Sequence, residues 1–359
     1  MKKIILHIGR HKTGTSSLQR FLVENRDVLE KHGYYYPRSA IKGYGHHEIA
    51  QPLSKREMLR KKLDEVVTQP QFAAFFEEIE DAIGERDVIV SSEAFQNCAP
   101  SLIAQLFSDY DVEVHVYLRE QAGYLVSSYA QSIQATANQM TLADYEKNIF
   151  FAHYDRFIRN WCNAFQDSVV KVYLFDRSYL TNGDIIQDFL KRALCLDEAV
   201  WQCFRPSEED QNPSLGGQLV EFKRRLNVIG LADSDADRRI YFALRNMAMM
   251  DKYQDKIAIS RYTYDQLVSK YSEGNRSVST RYFGTQDALM IKAPSSFADS
   301  DMPVLDEECL EEMVMDFLQL VPELEGDVSL RKLQDNARCF ASPRWQWLSV
   351  IVKKLLLRR

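Results

Sequence analysis

The sequence predicts an α/β protein: a parallel central sheet flanked by helices, continued by a mostly helical C-terminal part. Three observations lead there. Short apolar runs (Ile4–Leu6, Val88–Val90, Val112–Leu118, Val169–Phe175) alternate with segments of helical periodicity from Ile4 to about Leu196, the order of successive strand–helix–strand units. The first run passes through a polar turn, Gly9–Ser17, into an apolar stripe at Leu18, Phe21 and Leu22. Beyond Cys203 the alternation fades across the turn-rich stretch "RPSEEDQNPSLGG". The chain is therefore divided at residue 204. Residues 1–204 form the α/β core, and 205–359 form the helical part, expected to pack on the core and contribute to its site.

Each element has its own warrant. Ile4–Leu6 reads as a buried first strand, and Val28 and Leu29 continue the helical stripe begun at Leu18. Residues 33–62 read first as a loop, then as an exposed charged helix. Phe72, Phe75, Phe76, Ile79 and Ile83 recur at helical spacing, and Gly84 closes that helix. "DVIVSSEAF" is a short strand running into polar residues. Leu102–Phe107 fits a helix. Val112, Val114, Val116 and Leu118 alternate as in a strand, with Arg119 at its end. Helices through Tyr124 and Tyr129, from Tyr154 to Phe165, from Ile185 to Leu194 and from Gln218 to Val228 complete the reading.

Composition narrows the function classes. A chain of 359 residues, 45% hydrophobic and 27% charged, can bury a sizeable core. A net charge of -6 argues against broad nucleic-acid binding. The six cysteines form no Cys-x-x-Cys pair, so neither a zinc site nor a redox dithiol is signalled. They read as reduced thiols of a cytoplasmic protein. The N-terminal apolar run is too short for a signal sequence, and no segment approaches the roughly 20 apolar residues of a membrane span.

Parallel sheets bind ligands at the carboxyl ends of their strands. Gly9–Ser17, Ser91–Glu93 and Arg119 all fall at such ends. The loop between strand and helix has the makings of a phosphate site: Gly9 and Gly14 for tight backbone geometry, hydroxyls at Thr13, Thr15, Ser16 and Ser17, and the charge of Lys12. It is not a Walker A loop, because Thr15 stands where that motif has its lysine. An ordinary strand-to-helix turn rich in small polar residues is the plainer explanation of the same stretch.

"GRHKTGTSSLQ" resembles the 5′-phosphosulfate loop of the sulfotransferases that use 3′-phosphoadenosine 5′-phosphosulfate (PAPS), in its bacterial form. The resemblance implies a P-loop NTPase-like sulfotransferase fold. It places Lys12 at the bridging oxygen and sulfonyl group, and Thr13, Gly14, Thr15, Ser16 and Ser17 at the 5′-phosphate, with Arg10 also in the nucleotide site. The family's second signature is an arginine at a strand end with a serine eight positions on, holding the 3′-phosphate. "YLREQAGYLVSSY" has Arg119 and Ser127 at that spacing. Phe175 is the nearest match to the family's adenine-packing aromatic, although a buried strand aromatic explains it equally. "NRSVSTRYFG" is similar to a bacterial segment in which Arg281, or more weakly Arg276, closes over the nucleotide. The motifs cover roughly the first 195 residues.

In the resembling family the end of the "VSSEAF" strand carries the catalytic base, a His or a Glu. Glu93 stands there, where it also suits a helix's first turn. His46 and His47 in "GYGHHEIA" are the second choices; adjacent in an extended segment, they cannot both face one site. The resemblance implies PAPS as sulfuryl donor, adenosine 3′,5′-bisphosphate as product, and no metal, since no Walker B aspartate is evident. It also implies a saccharide or glycolipid acceptor. Tyr34, Tyr35, Tyr36 and Tyr44 suit stacking on sugar rings or packing as a satellite core. Trp345, Trp347, Lys353, Lys354, Arg358 and Arg359 suit a helix on the inner face of an anionic membrane, or a terminal helix docked on the core. The alternatives are a P-loop nucleotide kinase or NTPase, and a non-catalytic binding module on the same fold.

Overall fold

The computed structural model describes residues 2–10, 12–81, 84, 86–166, 169–206, 215–228, 235–287, 289–294 and 296–320. Ile83 and the basic, Trp-containing C-terminal segment lie outside them.

The elements follow in chain order as β1 (Lys3–His7), α1 (Thr15–Glu24), α2 (Arg26–Lys31), β2 (Tyr34–Tyr35), α3 (His47–Ala50), α4 (Lys55–Met58), α5 (Leu63–Val67) and α6 (Pro70–Asp81). Then come β3 (Asp87–Ser91), a 3-10 helix (Glu93–Asn97), α7 (Pro100–Leu106), β4 (Asp111–Leu118), α8 (Gln121–Ala135), α9 (Leu142–Asn148), α10 (Tyr154–Phe165) and β5 (Val170–Leu174). Helices α11 (Ile185–Arg192), α12 (Glu198–Trp201), α13 (Gly217–Val228), α14 (Asp235–Met247), α15 (Arg261–Phe283) and α16 (Glu307–Leu320) follow.

The five strands form one parallel sheet in the order β2-β3-β1-β4-β5, flanked by helices. This is the α/β architecture expected from the alternation of apolar runs and helices, with a helical C-terminal part. Residues pointing to either side of β1, such as Ile4 and Ile5, are equally buried, which is why these strands read as unbroken apolar runs. On one side Ile5, Ile89, Tyr117 and Tyr173 pack with Leu18 and Leu22 of α1 and Phe189 and Leu190 of α11. The chain leaves β1 towards the β2 edge and leaves β4 towards the β5 edge. Diverging connections from two neighbouring strands open a crevice at their carboxyl ends, so the topology itself sets the turn after β1 beside the turn after β4.

Two expectations shift. Tyr34–Tyr35, read as loop, is the edge strand β2, paired with Asp87–Val88. A two-residue strand with proline two positions past its end carries no periodic signal, and only its partner reveals it. The expected exposed helix before residue 62 reduces to the single turn α4.

The chain divides into two compact units. One comprises Met1–Tyr124, Ala152–Asp210 and Lys270–Lys292, the other Leu125–Phe151, Gln211–Ser269 and Ala293–Arg359. The first holds the sheet. The second is helical, with Phe222 meeting Phe317 edge-on and Tyr253 donating to Asp316 at 2.6 Å. Within it the Asn227 amide donates to three carbonyls, those of Ile133, Thr136 and Asn138, which ties α13 to the end of α8. The units interleave along the chain, a finer division than the single boundary at residue 204.

Candidate functional site

The turn after β1 is shaped by close backbone approach. Gly14 is the N-cap of α1 with φ +70°, and it offers no side-chain cap. The first amides of α1 therefore lack an intrahelical acceptor, and with the helix dipole they form an anion seat. A Cβ on Gly14 would stand 3.0 Å from Phe175 Cε2 and 3.2 Å from Ile185 Cγ2. One on Gly9 would stand 2.6 Å from Thr15 Cγ2 and 3.2 Å from Glu93 Cβ. Phe175 thus packs on the loop glycine itself while also bordering the core.

Lys12 takes the left-handed conformation, φ +68°, without being glycine, which costs about 1–2 kcal/mol. Its carbonyl is held by Arg119 Nη1 at 3.0 Å. The Thr13 hydroxyl donates to the Arg10 carbonyl at 2.7 Å, so it braces the loop from within. Thr15 is buried, and Ser16 and Ser17 are exposed on the first turn of α1. Burial and, after it, the Arg119 charge hold Lys12 below its usual range. Among the described residues neither Lys12 nor Arg119 pairs with a carboxylate. Two cations so placed repel each other unless an anion comes between them.

Behind the loop, the Arg10 guanidinium lies 5.3, 5.2 and 4.7 Å from the ring centres of Tyr124, Tyr154 and Phe157. It is 7% exposed, and its Nε has no hydrogen-bond partner. Tyr154 donates to the Arg119 carbonyl at 2.6 Å, so this aromatic wall fixes both arginines. Ser127 is half-buried on α8, within the second unit, while Arg119 belongs to the first. Arg281 is exposed near the end of α15, lining a small cleft of about 110 Å³ with Asp155 and Arg159. Arg276 is exposed on the same helix.

Glu93 comes from the neighbouring strand. Ser92 extends β3 by donating its N–H to the His7 carbonyl at 3.1 Å. Its hydroxyl accepts the Ala94 N–H at 3.2 Å, capping the 3-10 helix that Glu93 opens. The first-turn position read from the sequence and the approach to Gly9 are therefore compatible. Glu93 Oε2 accepts from Gln19 Nε2 at 3.0 Å, and the same nitrogen reaches Ser91 Oγ at 3.2 Å. Ser91 Oγ lies 2.8 Å from His7 Nδ1. His7 is held neutral, its pKa lowered to about 3 by burial and then by His115.

Gln19 is a site residue that the sequence reading passed over. It is 3% exposed on the face of α1 that carries Leu22 three residues on. A polar residue on an apolar stripe was the available signal.

The two histidines part company. His46 is fully buried. Its N–H donates to the Ser91 carbonyl at 2.8 Å, and its Nδ1 accepts the Ser91 N–H at 3.2 Å. Burial lowers its pKa to about 3, so this imidazole works as a neutral prop for the end of β3. His47 turns the other way. Its Nδ1 lies 2.7 Å from Ser92 Oγ and its Nε2 3.8 Å from Glu93 Oε2.

His47 and Glu93 border a cavity of about 580 Å³ between the α3–α5 segment and the 3-10 helix. Gln51, Ser54, Gln69 and Asn97 also line it. Its two walls are clasped where Ser54 bridges Cys98 and where Cys98 Sγ donates to the Ala50 carbonyl at 3.3 Å. Burial pushes the Cys98 thiol up to about 12, which marks it as structural. Tyr35 and Tyr36 are buried, donating to Glu78 and to the Tyr44 carbonyl. The Tyr44 ring lies under the Arg20 guanidinium. None of these tyrosines lines the cavity.

Among the described residues, no cluster of three or more His, Cys, Asp or Glu side chains is placed to hold a metal ion, and no helix is long and apolar enough to cross a membrane.

No protein-family model matches the chain. It is 26% identical over 258 residues to an uncharacterized protein of Archaeoglobus fulgidus, a match covering 68% of each sequence. Among solved structures it is similar to a sulfotransferase from Alicyclobacillus acidocaldarius, with a TM-score of 0.42 and 14% identity over 79% of this chain and 96% of that one.

Proposed function

We propose that the protein is a sulfotransferase that moves a sulfuryl group from PAPS to a hydroxyl (or amine) of an acceptor, a saccharide or glycolipid. The observation that carries this reading is the meeting of Lys12 and Arg119 at the uncapped N-terminus of α1, with no carboxylate at salt-bridge distance from either among the described residues. An elongated anion with two phosphate groups fits such a pair. The cradle that Phe175 closes at Gly14 and the orphaned Nε of Arg10 fit the same kind of ligand. A nucleoside triphosphate loop would carry its lysine directly after Gly14, where this chain has Thr15.

PAPS supplies an activated sulfuryl group, so the protein's work is positioning and charge stabilisation. The α1 amides seat the 5′-phosphate. Lys12 neutralises the charge that grows on the bridging oxygen as the bond from sulfur to that oxygen breaks. Arg119 holds the 3′-phosphate. Glu93 accepts the acceptor's proton while the acceptor oxygen bonds to sulfur, and adenosine 3′,5′-bisphosphate leaves with the electron pair. Gln19 holds the carboxylate oxygen of Glu93 at 3.0 Å and so fixes the base. The same loop in a nucleotide kinase or NTPase would serve Mg·ATP.

Calorimetry with adenosine 3′,5′-bisphosphate in EDTA, and in parallel with ATP in magnesium buffer, tests the reading. Binding of adenosine 3′,5′-bisphosphate without magnesium is the expected outcome. Binding of Mg·ATP alone would overturn it in favour of the kinase, and binding of neither would favour a non-catalytic module.

A further inference from the structure

Glu93 belongs to two surroundings at once. Its Cβ stands 3.2 Å from where a Gly9 side chain would begin, and its carboxylate faces the cavity of about 580 Å³. That volume falls among small-molecule sites, roughly 300–1,000 Å³, but the lining does not resemble an ordinary apolar one. Pro52 and Ala94 supply its apolar surface, and among the described residues no Phe, Tyr, Trp, Val, Leu or Ile lines it. Three amides, Gln51, Gln69 and Asn97, offer paired donors and acceptors. The charged groups are mixed: Glu57 and Glu93 against Lys61.

On the sulfotransferase reading, we infer that this cavity is the acceptor site, and that it selects an uncharged, hydroxyl-rich ring such as one sugar unit. Two physical arguments exclude the alternatives. A phenol or a fused apolar ring would cover the amides without pairing them, which costs affinity for every polar group left unsatisfied. A polyanionic glycan would bring its charges against two carboxylates opposed by one ammonium. A ring bearing hydroxyls on all sides satisfies the amides from several directions and leaves one hydroxyl for Glu93. The tyrosines that sequence patterning offered for stacking take no part, so specificity rests on side-chain amides from α3–α5 and the 3-10 helix.

The test separates cavity from donor loop. Saturation-transfer NMR with maltotriose, cellotriose and chitotriose reads the cavity directly, with 4-nitrophenol and a uronate trisaccharide as contrasts. Calorimetry with adenosine 3′,5′-bisphosphate reads the loop. At least one neutral trisaccharide is expected to bind better than both contrasts. Asn97→Leu and Gln51→Leu should each weaken it about three- to tenfold, as loss of one or two uncharged hydrogen bonds implies, with bisphosphate affinity unchanged. Glu57→Lys should shift preference towards the uronate. Preferred binding of 4-nitrophenol, no saccharide binding, or saccharide binding indifferent to both leucine variants would overturn the inference. Bisphosphate binding without saccharide binding would sink this proposal alone. Saccharide binding without bisphosphate binding would sink the sulfotransferase reading and leave the cavity a sugar site.

Discussion

At Gly14 a single added methyl group would meet Phe175 at 3.0 Å, whereas Glu93, which approaches Gly9 of the same loop, borders about 580 Å³ of open space. The two sides of Glu93 differ in what builds them. On the loop side, in the reading proposed above, the backbone would face the donor. Glycines admit close approach, α1 presents bare amides, and Lys12 is held in a left-handed conformation by Arg119. On the cavity side the surface is made of side chains on short helical turns, with polar groups in plenty and few close constraints. Backbone recognition tolerates little variation and suits an invariant donor group. A side-chain cavity can be re-cut for another acceptor without touching the loop.

That contrast predicts which measurement each substitution moves. Glu93→Gln removes the base but keeps the shape and the Gln19 contact. Transfer should fall by about 10²–10⁴ in kcat, while calorimetry finds the affinity for adenosine 3′,5′-bisphosphate unchanged. If kcat survives in Glu93→Gln and collapses in His47→Ala, the base is the imidazole.

Arg119→Ala acts on the other side. It deletes one cation of the pair and the brace on the Lys12 carbonyl. Bisphosphate affinity should drop about 10- to 100-fold, the scale of a lost charge-assisted hydrogen bond, with the acceptor KM little altered. Equal losses on both sides would erase the distinction between loop and cavity.

The smallest effect concerns the props beneath both sides. Folded His46 stays neutral down to about pH 3, whereas the unfolded chain takes up that proton near 6.5. Between those values the unfolded state binds more protons, so stability is complete above about pH 6.5 and is lost as pH falls towards 3. The slope is up to about 1.4 kcal/mol per pH unit for each such histidine, and His7 shares it. His46→Asn should flatten the fall by up to that amount in denaturant titrations from pH 7 to pH 4, and should cost about 1–3 kcal/mol at pH 7.

Legibility in the sequence followed the same divide. Close backbone approach demands glycine, and small hydroxyl residues and Lys12 surround it in consecutive positions, so the Gly9–Ser17 turn and the strand-end Arg119 could be picked out from the sequence. Gln19 was hidden because one amide on an apolar helix face looks like tolerated polarity until Glu93 is seen against it. Of two neighbouring histidines with the same local surroundings, nothing local says that His46 pairs with Ser91 and that His47 faces the cavity.

The sequence by itself determined the alternation of strands and helices and the tight glycine-bearing turn between β1 and α1, because periodicity and close backbone approach are local demands written in consecutive residues. Only the tertiary structure decided that Arg119 meets Lys12, that Glu93 stands between loop and cavity, and that Tyr35 and Tyr36 are buried while Tyr44 stays exposed. Those outcomes depend on the strand order, which sets the turns after β1, β3 and β4 side by side although their residues lie scores of positions apart.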